Sequence, residues 1–529
     1  MAEARDAPPL RVLSVSPSFD PAHRFGGPVR SLLGLCRALA ARGDTGLRVL
    51  TTDAAAPDGR DRLKVPAGWQ RHAAGFAIRY CRWWLPPDIA PGLLLVLPGE
   101  VRRAELVCLD GTYSFTTPAT LACCRLLRRP LLWWPRGALM AAGLPLRKRL
   151  WNRLCRWLAD PARCRLVATS AAEAAATAAR LPGLEVLLSP NGVDGPPAPL
   201  PTRPADGVLR LLFLGRLHPS KGLEGLLEAL ALCRAPAELT IHGDGPLAAA
   251  LQAQAAALGL AGRVHLAGFL SPEAVPQALA AHDVLVAPSP RENFGNAVAE
   301  ALAHGRPAVA TTGMPWQEME AMGCGLCCAA EPMALAAAID RLAAADLAAM
   351  GARAHAWMAR DFSWAVIAGR LHAQALDLAR PPARLAIVSS VGGHLTEIRA
   401  LAPAYRHLPH FYVLNDHVPL PADMAGRTHV ISHAERDWRL LVNLWQIWRL
   451  FRRERPDIVL SAGAGPAVLA ALVGRLLFGC RVIFVETVNR VDRPSLTARL
   501  IRPLAHRMFV QWPALLRALP GSRYAGRLL

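Results

Sequence analysis

The chain has 529 residues, 53% of them hydrophobic and 19% charged, with 45 prolines and 41 glycines. At roughly 100–200 residues per domain this suits about three globular domains and excludes a collagen, a coiled coil or a disordered tail. The formal charge is +20, and because Lys64, Lys148 and Lys221 are the only lysines, nearly all of it is guanidinium. Such a surface favours planar anions such as phosphate, although a general compositional bias gives the same count.

The opening Met-Ala-Glu-Ala-Arg lacks the apolar core of a signal peptide, and no stretch reaches the roughly 18 uncharged residues of a spanning helix. The expected location is cytoplasmic, peripheral on the inner face of a membrane. The 12 cysteines are scattered in apolar settings, as at Cys36 and Cys108, and read as reduced core residues. Cys324, Cys327 and Cys328 have no second ligand pair nearby, so no metal site and no cofactor are expected.

In chain order, Leu10–Ser16 is an apolar run that ends in a loop to Gly26-Gly27-Pro28, followed by an amphipathic segment through Ala41 and a second run, Leu47–Thr52. The pattern predicts strand, loop, helix, strand. It recurs at Leu209–Gly215 with Glu238–His242, and again at Leu385–Ser390, which predicts an α/β protein of three Rossmann-like domains. Pro196, Pro197, Pro199, Pro201 and Pro204 form one proline linker and Arg380-Pro381-Pro382 another. The predicted domains are 1–195, 208–378 and 384–529, with a helix over 350–378 returning to the first. The last domain is the most basic per residue.

In the middle domain, Asp283–Ala287 reads as a buried strand that opens into a loop carrying Glu292, Phe294 and Gly295, then a helix carrying Glu300. A Glu pair seven residues apart is weak by itself; its place at the carboxyl end of a strand gives it weight, since open α/β sheets bind ligands there. The turn Gly215-Arg216-Leu-His-Pro-Ser-Lys221-Gly222 puts two cations at a helix start, which suits a diphosphate.

These motifs, with Ser189-Pro-Asn191-Gly192-Val-Asp194 and His242-Gly-Asp244-Gly-Pro246, resemble glycosyltransferase family 4 over about residues 10–378. The resemblance implies a GT-B enzyme of two Rossmann-like domains facing across a cleft, with retaining transfer from a nucleotide sugar and no obligatory metal. Arg216 and Lys221 would then clamp the donor diphosphate, and Glu300 would hold the ribose. Glu292 would sit at the transferred sugar beside the backbone of Phe294 and Gly295. Gly26 and Gly27 would bring the first domain's backbone to acceptor and donor. Where many relatives carry a His-Gly pair this chain has Asp110-Gly111; its carboxylate either accepts a bond from an acceptor hydroxyl, and so is catalytic, or caps a turn.

In the last domain Val388-Ser-Ser-Val-Gly392-Gly393-His394 and Ser461-Ala-Gly463-Ala-Gly465 are glycine loops after strands, followed by Glu486-Thr487, Arg493-Pro-Ser495 and Gln511-Trp512-Pro513. This series is similar to the acceptor-side, membrane-recruiting subunit of the two-part UDP-N-acetylglucosamine transferase of lipid-linked oligosaccharide synthesis, and to its bacterial capsule and exopolysaccharide relatives. The resemblance implies half of a second GT-B enzyme, its glycine loops facing a polyprenyl-diphosphate-linked saccharide, with a separate donor-binding subunit as partner. His394 is a candidate acceptor-phosphate ligand or general base, or a helix cap; Glu486 faces either the cleft or the partner. Two tryptophan-rich basic stretches, Trp133 to Trp157 and Trp438 to Arg453, either contact an anionic membrane or bury their rings in a core. Nucleic acid is not an expected partner, since no recognised module for it is present. The expected function is a retaining glycosyltransferase fused to the acceptor-binding half of a second, inverting one, in bacterial exopolysaccharide or capsule assembly. The alternative is a non-catalytic membrane scaffold.

Overall fold

The computed structural model describes residues 8–56, 61–66, 68–84, 89–141, 143–201, 207–415, 424, 426–432, 439–463 and 465–528. Pro204 of the first linker and Trp438 of the second tryptophan-rich stretch lie outside them. The chain divides into two compact units, Met1–Ala379 and Arg380–Leu529.

The first unit holds two sheets. One has eight strands in the order Gly68–Arg71, Ala77–Cys81, Thr45–Thr52, Leu10–Val15, Leu106–Asp110, Leu131–Trp134, Cys164–Ala168 and Glu185–Leu188, parallel except for the first pair. The other has six parallel strands in the order Val264–Gly268, Ala237–His242, Leu209–Leu214, Val284–Ala287, Ala308–Thr311 and Gly325–Cys328. Helices cover both faces of each sheet, so central strands such as Val284–Ala287 are buried along their whole length and read as unbroken apolar runs rather than alternating ones.

Strand order reverses direction once in each sheet, between Leu10–Val15 and Leu106–Asp110 in the first and between Leu209–Leu214 and Val284–Ala287 in the second. A crevice forms where chain connections leave such neighbours toward opposite faces, and this is where doubly wound sheets take ligands. The Gly26-Gly27 loop follows the first of these strands, and the Arg216 and Glu292 loops follow the second pair.

Residues 350–378 are not one returning helix. They form the end of Leu347–Asp361, capped by Asp346 accepting from the Ala349 amide at 3.0 Å, and then Trp364–Ala379. Ala354, Trp357 and Met358 of the former pack in the same core as Val298 and Leu302 of the second sheet's layer. The latter instead packs against Gly27–Ala41, its Ala368, Leu371 and Ala375 joining Leu32 and Leu39 in the core of the first. Gly34 makes that approach possible, because a Cβ there would overlap the Trp364 indole. Two helices separated by a break are needed because one straight rod cannot lie on both cores.

The second unit is a seven-stranded parallel sheet in the order Thr428–Val430, His410–Leu414, Leu385–Ser389, Ile458–Ser461, Arg481–Val485, Arg507–Val510 and Arg523–Tyr524. Its reversal falls between Leu385–Ser389 and Ile458–Ser461, the two strands whose loops carry the glycine motifs. Trp133 and Trp134 are buried strand residues of the first sheet, not part of a surface stretch. Among the described residues no helix is long and apolar enough to cross a membrane.

Candidate active site

The Gly215-Arg216 turn is set by contact with the neighbouring loop. Gly243 has φ +152°, and a Cβ on it would overlap the Gly215 carbonyl, so the loops leaving two adjacent strands run against each other. Arg216 is exposed at this turn, with no ion-pair partner among the described residues. Lys221 ends a short 3-10 turn, and its Nζ meets Glu292 Oε1. The same carboxylate accepts from Ser289 Oγ at 3.0 Å. Lys221 and Glu292 are thus one neutral pair, and Arg216, in the same turn, is a cation left unpaired among the described residues.

Phe294 is buried against Trp316 with ring centroids 5.1 Å apart, and its carbonyl accepts from Trp316 Nε1 at 2.5 Å. That packing fixes the backbone at Gly295 (φ +84°), which starts the Asn296–Ala303 helix. Glu300 lies one turn into this helix and reaches across to the first sheet's layer: Arg30 Nη2 stands 2.7 Å from its Oε1. Burial pushes the Glu300 carboxyl above the ordinary range, and Arg30 pulls it back. Both residues line a cavity of about 730 Å³ between the two layers, with Asp20, Arg37, Asp194 and Glu273 on its walls.

Asp110 does not open onto this cavity. Its carboxylate is buried, 2.5 Å from Arg136 Nε, and burial raises its carboxyl while Arg136 lowers it. The expectation of a carboxylate available to an acceptor hydroxyl is therefore corrected, because Asp110 serves as the counter-ion of Arg136. Arg136, which the motifs did not single out, stands at the carboxyl end of Leu131–Trp134 with φ +55°. Its Nη1 donates to Ser31 Oγ and to Asn191 Oδ1, each at 3.2 Å, and Asn191 Nδ2 donates to Asn296 Oδ1 at 3.0 Å. This chain of bonds ends on the first residue of the Glu300 helix. A Cβ on Gly27 would stand 3.0 Å from the Asn296 amide nitrogen, so the Gly26-Gly27 loop meets the same point. The signal in the sequence was Pro135-Arg136-Gly137, a cation and a glycine directly after a buried strand.

In the second unit, Gly392 (φ +93°) caps the Gly393–Ala400 helix, and the His394 ring lies against Gly463, where a Cβ would stand 2.8 Å from Cε1. Gly392, Gly393, His394 and Gly463 therefore meet at the strand reversal, and Gly465 opens the next helix. Among the described residues His394 Nδ1 is buried without a hydrogen-bond partner, and no side chain caps the helix. Glu486 faces inward: it is buried and accepts from Thr487 N at 3.0 Å and from Ser495 N and Oγ, both at 2.9 Å. Glu397, which sequence patterning passed over, is buried beside it, bonded to Thr487 Oγ1 at 2.7 Å and Gln511 Nε2 at 3.0 Å.

Family models match two segments: "Glycosyl transferases group 1" over residues 209–345, and "Oligosaccharide biosynthesis protein Alg14 like" over 431–528. The chain thus joins a domain of the group 1 glycosyltransferase type to an Alg14-like domain. The Alg14-like part is similar to the UDP-N-acetylglucosamine transferase subunit ALG14 of Mus musculus, 29% identical in an alignment of 185 residues, gaps included, that covers 28% of this chain and 85% of that protein. The group 1 part is similar to the GDP-mannose-dependent alpha-(1-6)-phosphatidylinositol dimannoside mannosyltransferase of Mycobacterium tuberculosis, 39% identical over 133 residues. That match spans 24% of this chain and 34% of the mycobacterial protein. Among solved structures, Anabaena HepE in complex with UDP superposes with a TM-score of 0.55 at 20% identity, covering 69% of this chain and 99% of that one. WaaG, a glycosyltransferase of lipopolysaccharide biosynthesis, gives 0.50 at 16% identity over 70% of this chain. The GT-B fold of the transferase thus agrees with its two sheets and the cavity between them.

Proposed function

We propose that the transferase moves a sugar from a nucleotide sugar, with retention, to a polyprenyl-diphosphate-linked saccharide in bacterial exopolysaccharide or capsule synthesis. The observation that carries this is the arrangement after the two strands at one sheet reversal of an exposed Arg216 and a Lys221–Glu292 pair, with Glu300, on the helix that follows, bridged to Arg30. In this reading Arg216 and Lys221, rather than a metal, carry the charge that develops as the anomeric C–O bond to the diphosphate breaks. The acceptor oxygen forms the new bond on the same face, and its proton passes to the departing phosphate. Glu292 orients the sugar as Lys221 turns toward the diphosphate. Glu300 accepts from the ribose hydroxyls.

The Alg14-like domain in this reading binds the same class of lipid diphosphate at Gly392, Gly393, His394, Gly463 and Gly465, and recruits a separate donor-binding subunit for an inverting step. Joining both to one chain raises the effective concentration of one step's product at the next. The protein works at the cytoplasmic face of the membrane, without nucleic acid.

The test is incubation of the purified chain with a panel of nucleotide sugars and a membrane lipid extract, following nucleotide release and label in the lipid fraction. Label in lipid from one donor is the expected result. Absence of transfer from every donor, with an extract that a control transferase can glycosylate, returns the protein to a scaffold. A pH profile tests the ribose assignment. Glu300 must be ionised to accept two hydroxyls, and its carboxyl already titrates above the ordinary range, so donor KM rises as pH falls through that raised value. Removing the opposing cation in Arg30→Ala raises the carboxyl further and moves this acid limb to higher pH. An unmoved limb removes Glu300 from donor binding.

A further inference from the structure

The helix Leu146–Leu158 has two apolar stripes where packing uses one. Trp151, Cys155 and Leu158 turn toward the domain, with Cys155 fully buried and joined to the core of the first sheet. At about 100° per residue, Leu146, Leu150, Leu154 and Trp157 fall within a second stripe, turned about 110° from the first around the helix axis. They are 67%, 53%, 43% and 67% exposed. Single exposed leucines are ordinary on a protein surface, but four apolar side chains in helical register are not.

The stripe has a charged frame. Arg149, Arg153 and Arg156 border it on one side and Arg147 on the other, and the helix holds no acidic residue. Arg125, from the neighbouring Thr116–Leu126 helix, donates to the Trp157 carbonyl and lies over its ring at 5.6 Å. Leu126 beside it is among the most exposed leucines of the chain, at 81%. Packing on the domain accounts for the inner stripe and leaves the outer one without a function in the fold.

We infer that Leu146–Leu158 is the element that seats the transferase on an anionic bilayer. Its leucines and Trp157 enter the boundary between headgroups and acyl chains, and the flanking guanidinium groups meet lipid phosphates. The complementarity is of charge as well as of polarity: guanidinium on both sides of an apolar strip fits a plane of phosphates above hydrocarbon. This deepens the membrane-surface part of the proposed function and rests on it, but it is read by vesicle binding with no sugar transfer, so failure of the donor or acceptor assignment is seen separately.

The test is flotation of the full chain with vesicles of phosphatidylcholine containing phosphatidylglycerol, and with phosphatidylcholine alone. Wild type floats with the anionic vesicles and less with the neutral ones. Leu150→Glu with Leu154→Glu, both at exposed positions and checked by an unchanged thermal melt, lowers the partition by about tenfold or more. Arg149→Gln with Arg153→Gln lowers it at low salt and little at high salt, because only the Coulombic part is lost. A control pair, Leu441→Glu with Trp445→Glu on the exposed face of Arg439–Glu454, leaves most of the binding in place. The inference is overturned if the Leu150/Leu154 variant floats as wild type does, or if the control pair alone abolishes flotation. It is equally overturned if wild type binds no vesicle and light scattering shows an oligomer that the Leu150/Leu154 variant dissolves.

Discussion

Lys221→Ala is expected to lower kcat/KM for the nucleotide sugar by about a hundred- to a thousandfold, the range seen when one pre-positioned charge is removed from a developing anion. Two losses combine. The ammonium no longer stabilises the leaving diphosphate, and Glu292, which it neutralises in the structure, becomes a bare carboxylate facing an incoming dianion. The second loss is separable. Glu292→Gln in the Lys221→Ala background removes the repulsion and recovers part of the donor binding, so KM improves while kcat stays low. A double-mutant cycle measured on KM and kcat separately reads this coupling. Lys221→Arg retains the charge with different geometry and falls between the two. Additive single effects, with no recovery in the double variant, overturn the pairing as a functional unit.

Arg136→Ala is expected to destabilise the protein by about 3–5 kcal/mol, the usual cost of leaving one member of a buried ion pair uncompensated. Asp110 is the group left behind: both side chains are only 9% exposed, and the carboxylate–guanidinium contact is 2.5 Å. Three further bonds loosen with it, to Ser31 and Asn191 directly and to Asn296 through Asn191. The pH dependence has a definite sign. Burial already raises the Asp110 carboxyl above its unfolded value, and loss of Arg136 raises it further. The folded variant then binds a proton that the unfolded chain does not between those two values, so its stability increases as pH falls through them and the deficit is largest at neutral pH. Asp110→Asn added to Arg136→Ala removes the stranded charge and recovers much of the loss at pH 7, as denaturant midpoints at several pH values will show. Arg136→Gly relieves the φ of +55°, worth about 1–2 kcal/mol, yet still loses the charge pair, and so it melts between wild type and Arg136→Ala.

Much of the architecture was legible in the chain because it rests on local chemistry. Apolar runs that stop at glycine loops gave the strands, as at Leu209–Leu214 and Leu385–Ser389, and the residues placed at their carboxyl ends do stand at the strand reversals. Boundaries moved by a residue or two: Leu47–Thr52 begins at Thr45, and Glu238–His242 at Ala237. Fraying ends carry little sequence signal. For the tryptophans the sequence left two readings open, membrane contact or a core, and the structure divides them, with Trp133 and Trp134 buried and Trp157 exposed. Trp133 and Trp134 sit beside a basic stretch in sequence, yet belong to a strand whose side chains are enclosed by helices on both faces.

The sequence by itself determined three βα-repeating sheets and which loops and helix starts after their strands carry Arg216, Lys221, Glu292, Gly392, Gly393 and Gly463, with Glu300 on the helix that follows Glu292. Periodicity and loop chemistry act over a few residues and need no tertiary context. Only the tertiary structure decided the partners: Arg30 with Glu300, Lys221 with Glu292, and Arg136 with Asp110 and Asn191. Such pairs join residues tens to hundreds of positions apart, and no local pattern records which cation a folded chain brings to which carboxylate. It also decided which stripe of Leu146–Leu158 is left uncovered, because an amphipathic helix with two apolar faces buries whichever one its neighbours meet.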